Sequence, residues 1–369
     1  MRARVFILFS VFLAASAIFI NACSKTYTVG PLAIIPATFT PTPITGLMVT
    51  TLAGSVAPGF INGIGTAAAF NSPFGLAVDS SGNVYVGDFG NNAIRIITPG
   101  GVVSNYAGAG VTYGSTNGAG SIASFYGPAN LAMDISGNLF VGDSNNEIIR
   151  KITPTDIVST FAGQAGVTGY LNGIGTSALF FYPFGIAVDS TGNLFVADTG
   201  NYVIRQITST GVVSTLAGQA GVTGSTNGTG LSALFYNPES VAVDALDNVY
   251  VADMGNNMIR KISSGGVVTT LAGSGSSGSS NGLGSAASFN KPSGIAIDSS
   301  GNILVCDSGN YLIRKITIGG LVTTLAGTGI SGLMNGPVAT AKFLRPYSIT
   351  VDISGKIYIA DYNCIRVIQ

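Results

Sequence analysis

The sequence predicts an all-β fold, a six-bladed β-propeller of four-stranded antiparallel blades whose last blade is closed by the N-terminal strand. Three observations carry this. A segment typified by Tyr182 to Thr208, YPFGIAVDSTGNLFVADTGNYVIRQIT, recurs six times, opening at Pro73, Pro128, Pro183, Pro238, Pro292 and Pro346, and a fixed period of this size marks repeated supersecondary units. Each copy divides into short apolar runs separated by Gly, Asn, Asp, Ser or Thr. The sixth copy stops at Gln369 without the GxVxTxAG strand that ends the others, and just such a strand stands at Gly46 to Gly54 (GLMVTTLAG).

Taking the third copy as the pattern, the four strands fall at Gly185 to Asp189, Leu194 to Ala197, Val203 to Ile207 and Gly211 to Ala217. The runs barely alternate, since Ile186, Ala187 and Val188 are all apolar, so each strand expects burial on both faces. Four such strands per repeat and six repeats make a propeller, and one N-terminal strand added to the last blade closes the ring and removes its open edges.

The pattern PxGIAVDxxGNxxVADxGNxxIRxI followed by GVVxTLAG resembles the NHL repeat in its long-period form. The resemblance covers residues 46–369 and implies a six-bladed propeller serving as a binding platform. Some members bind RNA through a basic face. The fold alone supplies no function.

Ahead of the propeller, Arg2 and Arg4 precede an apolar run from Val5 to Ile20, which reads as a secretory signal over residues 1–22 and is short of the ~20 residues of a membrane span. Ile20-Asn21-Ala22-Cys23 resembles a bacterial lipobox, making Cys23 the lipidated first residue of the mature chain; plain secretion or an uncleaved anchor is the alternative. Residues 23–45, rich in Pro and Thr, read as an extended tether. The expected location is therefore outside the cytoplasm, lipid-anchored to the outer membrane, because Ser24 stands where Asp would favour inner-membrane retention.

Charge excludes one function class. The 16 basic residues, less Arg2 and Arg4, leave no excess over the 16 acidic ones, and nucleic-acid binding needs concentrated cations. The repeats place an Asp at the end of the first strand (Asp79, Asp189, Asp298 among them), another at the end of the second (Asp88, Asp198, Asp307) and an Arg in the third (Arg95, Arg205, Arg314). The first Asp accepts turn N–H groups in the D-x-x-G-N hairpin. The second Asp and the Arg are expected to tie neighbouring blades together. No metal is expected at these turns, since each offers one acid where calcium loops gather several. In the linkers, a Phe three residues before each proline, such as Phe180, is expected to fill the seam between blades, and an Asn-Gly to make a tight turn. Cys306 and Cys364 lie in adjacent blades, and the sequence leaves open whether they pair.

Against this frame the varied positions carry the information. After the blade proline come Phe74, Ala129, Phe184, Glu239, Ser293 and Tyr347. After the second Asp come Phe89, Ser144, Thr199, Met254, Ser308 and Tyr362. Both sets fall near one mouth of the channel and form a surface of aromatics, hydroxyls and one acid, suited to a glycan or a protein loop. The candidate ligand-binding residues are Phe74, Phe89, Phe184, Glu239, Met254, Tyr347 and Tyr362.

The chain contains no histidine, which excludes a histidine-ligated zinc site and a Ser-His-Asp triad. The reading is a monomeric, non-enzymatic envelope lipoprotein without a cofactor, binding a protein or glycan and no nucleic acid. The alternative is a calcium-dependent lactonase-like or lyase-like enzyme working at Glu239.

Overall fold

The computed structural model describes residues 46–369, and the expected signal segment, Cys23 and the tether lie outside them. The six repeats form six antiparallel sheets arranged as the blades of a propeller. In the third blade the strands are Pro183–Val188, Leu194–Asp198, Val203–Ile207 and Val212–Ala217, taken from the channel outward. The first strands of all six blades stand side by side around the channel, lining its lower mouth with residues such as Val78, Met133 and Val188.

Each blade has a fifth strand where four were expected. It is only two residues long, Gly173–Ile174 in the third blade, and pairs with Val213 and Val212 on the outer edge. Its origin is the linker. The chain leaving one blade runs to the rim of the next, pairs there, and only then crosses to the channel. The outermost strand thus receives a partner along part of its edge, which limits edge-to-edge association.

Closure of the ring follows the expectation. Met48–Gly54 pairs with Cys364–Ile368 in the sixth blade, from Val49 opposite Ile368 to Gly54 opposite Cys364. A register shift between Thr51 and Ala53 repeats the shift found between third and fourth strands elsewhere, as at Ile204/Arg205. The N-terminal strand therefore reproduces the fourth strand in pairing and in irregularity.

The core is divided among the seams. One cluster joins Ala53, Tyr358, Ala360 and Ile365 of the sixth blade to Leu76, Val84 and Val86 of the first, with Phe70 between them. Phe70, Phe125, Phe180, Phe235, Phe289 and Phe343 are all fully buried, one per seam. Burial of each such side chain is worth about 1.5–3 kcal/mol.

The polar frame corrects one expectation. The second Asp and the repeated Arg do not link neighbouring blades; they pair within one blade. Arg205 Nη1 donates to Asp198 Oδ2 at 2.7 Å, and both side chains are fully buried. The remaining donors of Arg205 hold the incoming linker, at Leu179 O (3.1 Å), Leu171 O (3.0 Å) and Asn172 Oδ1 (2.8 Å). Asp198 Oδ1 in turn accepts Phe181 N–H from the same linker. The pair thus clamps the linker onto its own blade because the Asn-Gly, whose Asn was expected to serve a turn, supplies an acceptor to the guanidinium. The same constellation surrounds Arg95 with Asp88 and Arg314 with Asp307. Burial pushes Asp88, Asp143 and Asp198 up to about 6, against the pull of their hydrogen-bond donors.

Bonds between blades come from elsewhere. Ser144 Oγ donates to Pro183 O at 2.6 Å and Thr199 Oγ1 to Pro238 O at 2.7 Å. Gly127 N–H, Lys291 N–H and Ser72 N–H donate to Asn92, Asn257 and Asn363 of the preceding blade, and Tyr182 N–H donates to Glu147. The first Asp of each repeat closes its own hairpin as expected. Asp79 Oδ1 accepts Ser81 N–H and Asn83 N–H at 2.9 Å each, and Oδ2 accepts Asn83 Nδ2 at 2.8 Å. In Asp189 and Asp298 burial would raise the carboxyl, but the turn bonds outweigh it and hold it below its usual range. Cys306 and Cys364 are both buried free thiols.

Candidate functional site

At the upper mouth each inner strand begins with the blade proline, and the next residue faces the channel. This register brings Phe74, Phe184 and Tyr347, from three different blades, into one cluster. Phe74 meets Phe184 edge to face at 4.6 Å between ring centroids and lies 4.5 Å from Tyr347. The intervening second blade contributes Ala129, which is buried and leaves room for the rings of its neighbours to touch. Gly185 serves the same closeness on the backbone: a Cβ there would stand 2.6 Å from Glu239 O of the fourth blade.

Two adjoining cavities open at this mouth. The larger, about 540 Å³, is lined by Phe74, Phe89, Phe184 and Tyr202 on its aromatic side and by Glu239 and Met254. The smaller, about 370 Å³, shares Glu239 and Met254 and continues to Lys291, Ser293, Arg345 and Tyr347. Six of the seven residues expected to bind ligand therefore line one or both cavities. Tyr362, 41% exposed, lines neither of them.

Thr199 and Ser308 line the cavities, but the hydroxyls at this position are also engaged in the frame. Ser144, Thr199 and Ser308 spend their hydroxyl protons on the proline carbonyl of the next blade, so three of the varied positions after the second Asp are part of the frame. Phe89, Met254 and Tyr362 occupy that position in the other blades, where a side chain without this bond is free to shape the mouth.

Glu239 has the least satisfied environment of the site. Its Oε2 is buried and makes no hydrogen bond. Burial pushes its carboxyl up to about 7, with Arg345 pulling the other way through space. Burial likewise raises Tyr182 and Tyr347, and the Glu239 charge adds to both shifts. The Arg345 guanidinium lies 5.1 Å over the Tyr347 ring.

Lys291, Arg345 and Tyr182 escaped the sequence reading. All three precede the blade proline, a position filled in the six copies by Ser72, Gly127, Tyr182, Asn237, Lys291 and Arg345. The signal was present, because this position varies as much as the one after the proline. Its backbone is left-handed at Ser72, Gly127, Tyr182, Asn237 and Lys291, with φ from 49° to 62°. Tyr182, Asn237, Lys291 and Arg345 line the cavities from this position.

Chemically the site offers aromatic faces, one poorly solvated carboxyl and two cationic side chains. Among the described residues no three His, Cys, Asp or Glu side chains gather into a group able to hold a metal ion. Glu239 has no second carboxylate beside it in either cavity lining.

Comparison with known proteins agrees with this architecture. The family model described as NHL repeat matches residues 70–97 and 289–316. The chain is 27% identical over 259 residues to SUPPRESSOR OF QUENCHING 1 of Arabidopsis thaliana, covering 65% of this chain and 24% of that protein. It is 26% identical over 355 residues to human Teneurin-4, covering 83% of this chain and 12% of that protein. The chain thus spans a quarter or less of the length of these relatives. Among solved structures, a Bacteroides thetaiotaomicron protein of unknown function superposes with a TM-score of 0.70 at 20% identity over 88% of this chain and 76% of the other. An auxiliary nutrient binding protein of the same organism gives 0.66 at 16% identity over the same shares. A streptogramin B lyase gives 0.54 at 13% identity, over 88% of this chain and 97% of the other. At these identities the likeness is one of fold.

Proposed function

From the premise that the chain is a six-bladed propeller carrying NHL repeats, we propose that it is a non-enzymatic binding protein whose upper mouth receives a protein or glycan ligand. One observation carries the reading: on a frame repeated six times, the non-repeated residues Phe74, Phe184, Glu239, Lys291, Arg345 and Tyr347 converge on two adjoining cavities. Identical positions suit a scaffold, while a break in the repeat at one place is what a specific ligand requires. The auxiliary nutrient binding protein with the same fold supports a binding role. The proposal includes export, with residues 1–22 as signal, a lipid on Cys23, residues 23–45 as tether and an outer-membrane location.

A second reading, an enzyme acting through Glu239, is favoured by that carboxyl standing near 7 and by the fold shared with streptogramin B lyase. A lone acid without a metal-ligand cluster or a carboxylate partner makes it the weaker of the two. An array of glycans and peptides separates them, probed with the wild-type protein and with the Phe74→Leu/Phe184→Leu/Tyr347→Leu variant. Loss of binding in the variant with a folded melting transition supports the mouth as the site. Undiminished binding removes it. A ligand chemically altered by wild type but not by Glu239→Gln establishes the enzyme.

A further inference from the structure

The upper mouth is two-sided in its chemistry, and Glu239 stands where the sides meet. On one side are the aromatic faces of Phe74, Phe184 and Tyr182, with Tyr182 and Phe184 stacked at 5.7 Å and 19°. On the other are Lys291 and Arg345, both lining the smaller cavity together with Glu239. A carboxylate with one buried, unpartnered oxygen is costly unless something donates to it. Aromatic faces attract a cation, and most strongly one removed from water. Taken together, these features match a ligand that brings a positive, proton-donating group to Glu239 and a negative group to Lys291 and Arg345.

We propose that the upper mouth binds a zwitterionic amino-carboxylate, a free amino acid, with its ammonium group on Glu239 among the aromatic rings and its carboxylate toward Lys291 and Arg345. This rests on the reading of the mouth as a ligand site and names the class of ligand. The ammonium supplies the donors that Glu239 Oε2 lacks, and the guanidinium and ammonium of the rim supply donors to the carboxylate. An apolar side chain between the two charges lies against Phe74, Phe184 and Met254. A neutral sugar would bring no charge to Glu239, whose cationic neighbour Arg345 acts on it only through space, and none to Lys291 and Arg345.

The protonation of Glu239 gives a second signature. Its carboxyl stands at about 7 when the mouth is empty, and an ammonium ion favours the ionised form. Affinity for the ligand therefore rises as pH is raised from about 6 to about 8, and Glu239→Gln removes that rise. The other groups facing Glu239 are Tyr182, Tyr347 and Cys306, all shifted upward by burial and so away from this window, and the cations Lys291 and Arg345. Asp361, which accepts Arg345 N–H behind the mouth, is common to both proteins and cancels in the comparison.

The test is a calorimetric titration of the full chain with phenylalanine, phenethylamine, 3-phenylpropionate and glucose. Phenylalanine should bind tightest. Omitting the amine or making Glu239→Gln should each weaken binding at least tenfold, without adding to one another, while Glu239→Asp recovers part of the affinity. Omitting the carboxylate should cost several-fold, matched by Arg345→Ala with Lys291→Ala. Cooperative melting transitions no lower than that of the wild type in these variants confirm that the loss belongs to the mouth. If 3-phenylpropionate or glucose binds as tightly as phenylalanine and the Phe74→Leu/Phe184→Leu/Tyr347→Leu variant abolishes it, the ammonium assignment is overturned and the mouth remains the site. Phenylalanine binding that no upper-mouth variant alters overturns both. Absence of binding by all four probes at millimolar concentration overturns the amino-carboxylate assignment, and the glycan and peptide array then decides the wider reading.

Discussion

Arg205 and Asp198 lie seven residues apart in one blade and meet at 2.7 Å with no exposed side-chain surface on either. Their contact joins the second and third strands of a blade to the linker that arrives from the blade before. Because Arg205 also donates to Leu171 O, Leu179 O and Asn172 Oδ1, removing it takes the cation from a buried carboxylate, which keeps only the neutral donors Asn201 Nδ2 and Phe181 N–H, and removes one donor from each of three linker acceptors.

Arg205→Ala or Asp198→Ala should therefore destabilise the propeller by about 3–5 kcal/mol, read as a fall in the urea midpoint. The double variant Asp198→Leu/Arg205→Met should cost less than the two single changes added, since no charge is left unpaired. Equal additivity would show that the two side chains do not act as a pair.

Phe180 and Phe181 are neighbours with opposite fates. Phe180 is fully buried in the seam, with the Arg205 guanidinium 5.0 Å above its ring, whereas Phe181 is 42% exposed at the mouth. Phe180→Ala should cost about 3–5 kcal/mol and Phe181→Ala well under that. The reverse order in thermal melts would contradict the seam assignment.

Glu239 makes stability depend on pH in a stated direction. Its folded carboxyl stands at about 7 against an ordinary value of 4.5, so the folded state holds the proton more tightly than the unfolded state. The contribution is complete below about 4.5 and is lost as pH rises through 7. Relative to Glu239→Gln, the wild type should lose on the order of 1–3 kcal/mol across that range, allowing for partial solvation of the mouth. A constant difference between the two proteins from pH 4 to pH 8 would place Glu239 in a solvated environment.

Calcium should leave the melting temperature unchanged. Asp79 already accepts two backbone N–H groups on Oδ1 and Asn83 Nδ2 on Oδ2, and Asp189 is similarly occupied by Thr191 and Asn193. A folded-state site saturated a hundredfold over its dissociation constant would add about 2.7 kcal/mol and raise the midpoint visibly. Such a rise would mean that the hairpin carboxylates bind metal in exchange for their turn bonds.

The propeller was legible because its signal is a period. The prolines and the surplus strand at Gly46–Gly54 require no knowledge of side-chain geometry. The fifth strand was not legible, since two residues such as Gly173 and Ile174 carry no apolar alternation and pair only because the linker passes the rim. The partnership of Asp198 with Arg205 could be read from chemistry, but not whether it lies within a blade or between blades, which depends on strand register. At the mouth, alignment on the proline brought out Phe74, Phe184 and Glu239. Lys291 and Arg345 stand one residue earlier, where a left-handed turn at Lys291 and an unusual sixth blade hide the position from strand-based reasoning.

The most direct measurement uses the methionines. Met254 borders both upper cavities, while Met133 lies at the lower mouth of the channel. With methyl-labelled methionine in the full chain, titration with phenylalanine should shift the Met254 resonance in a saturable way and leave that of Met133 in place. A saturable shift at Met133 with Met254 unmoved would contradict the account and move the binding site to the opposite face.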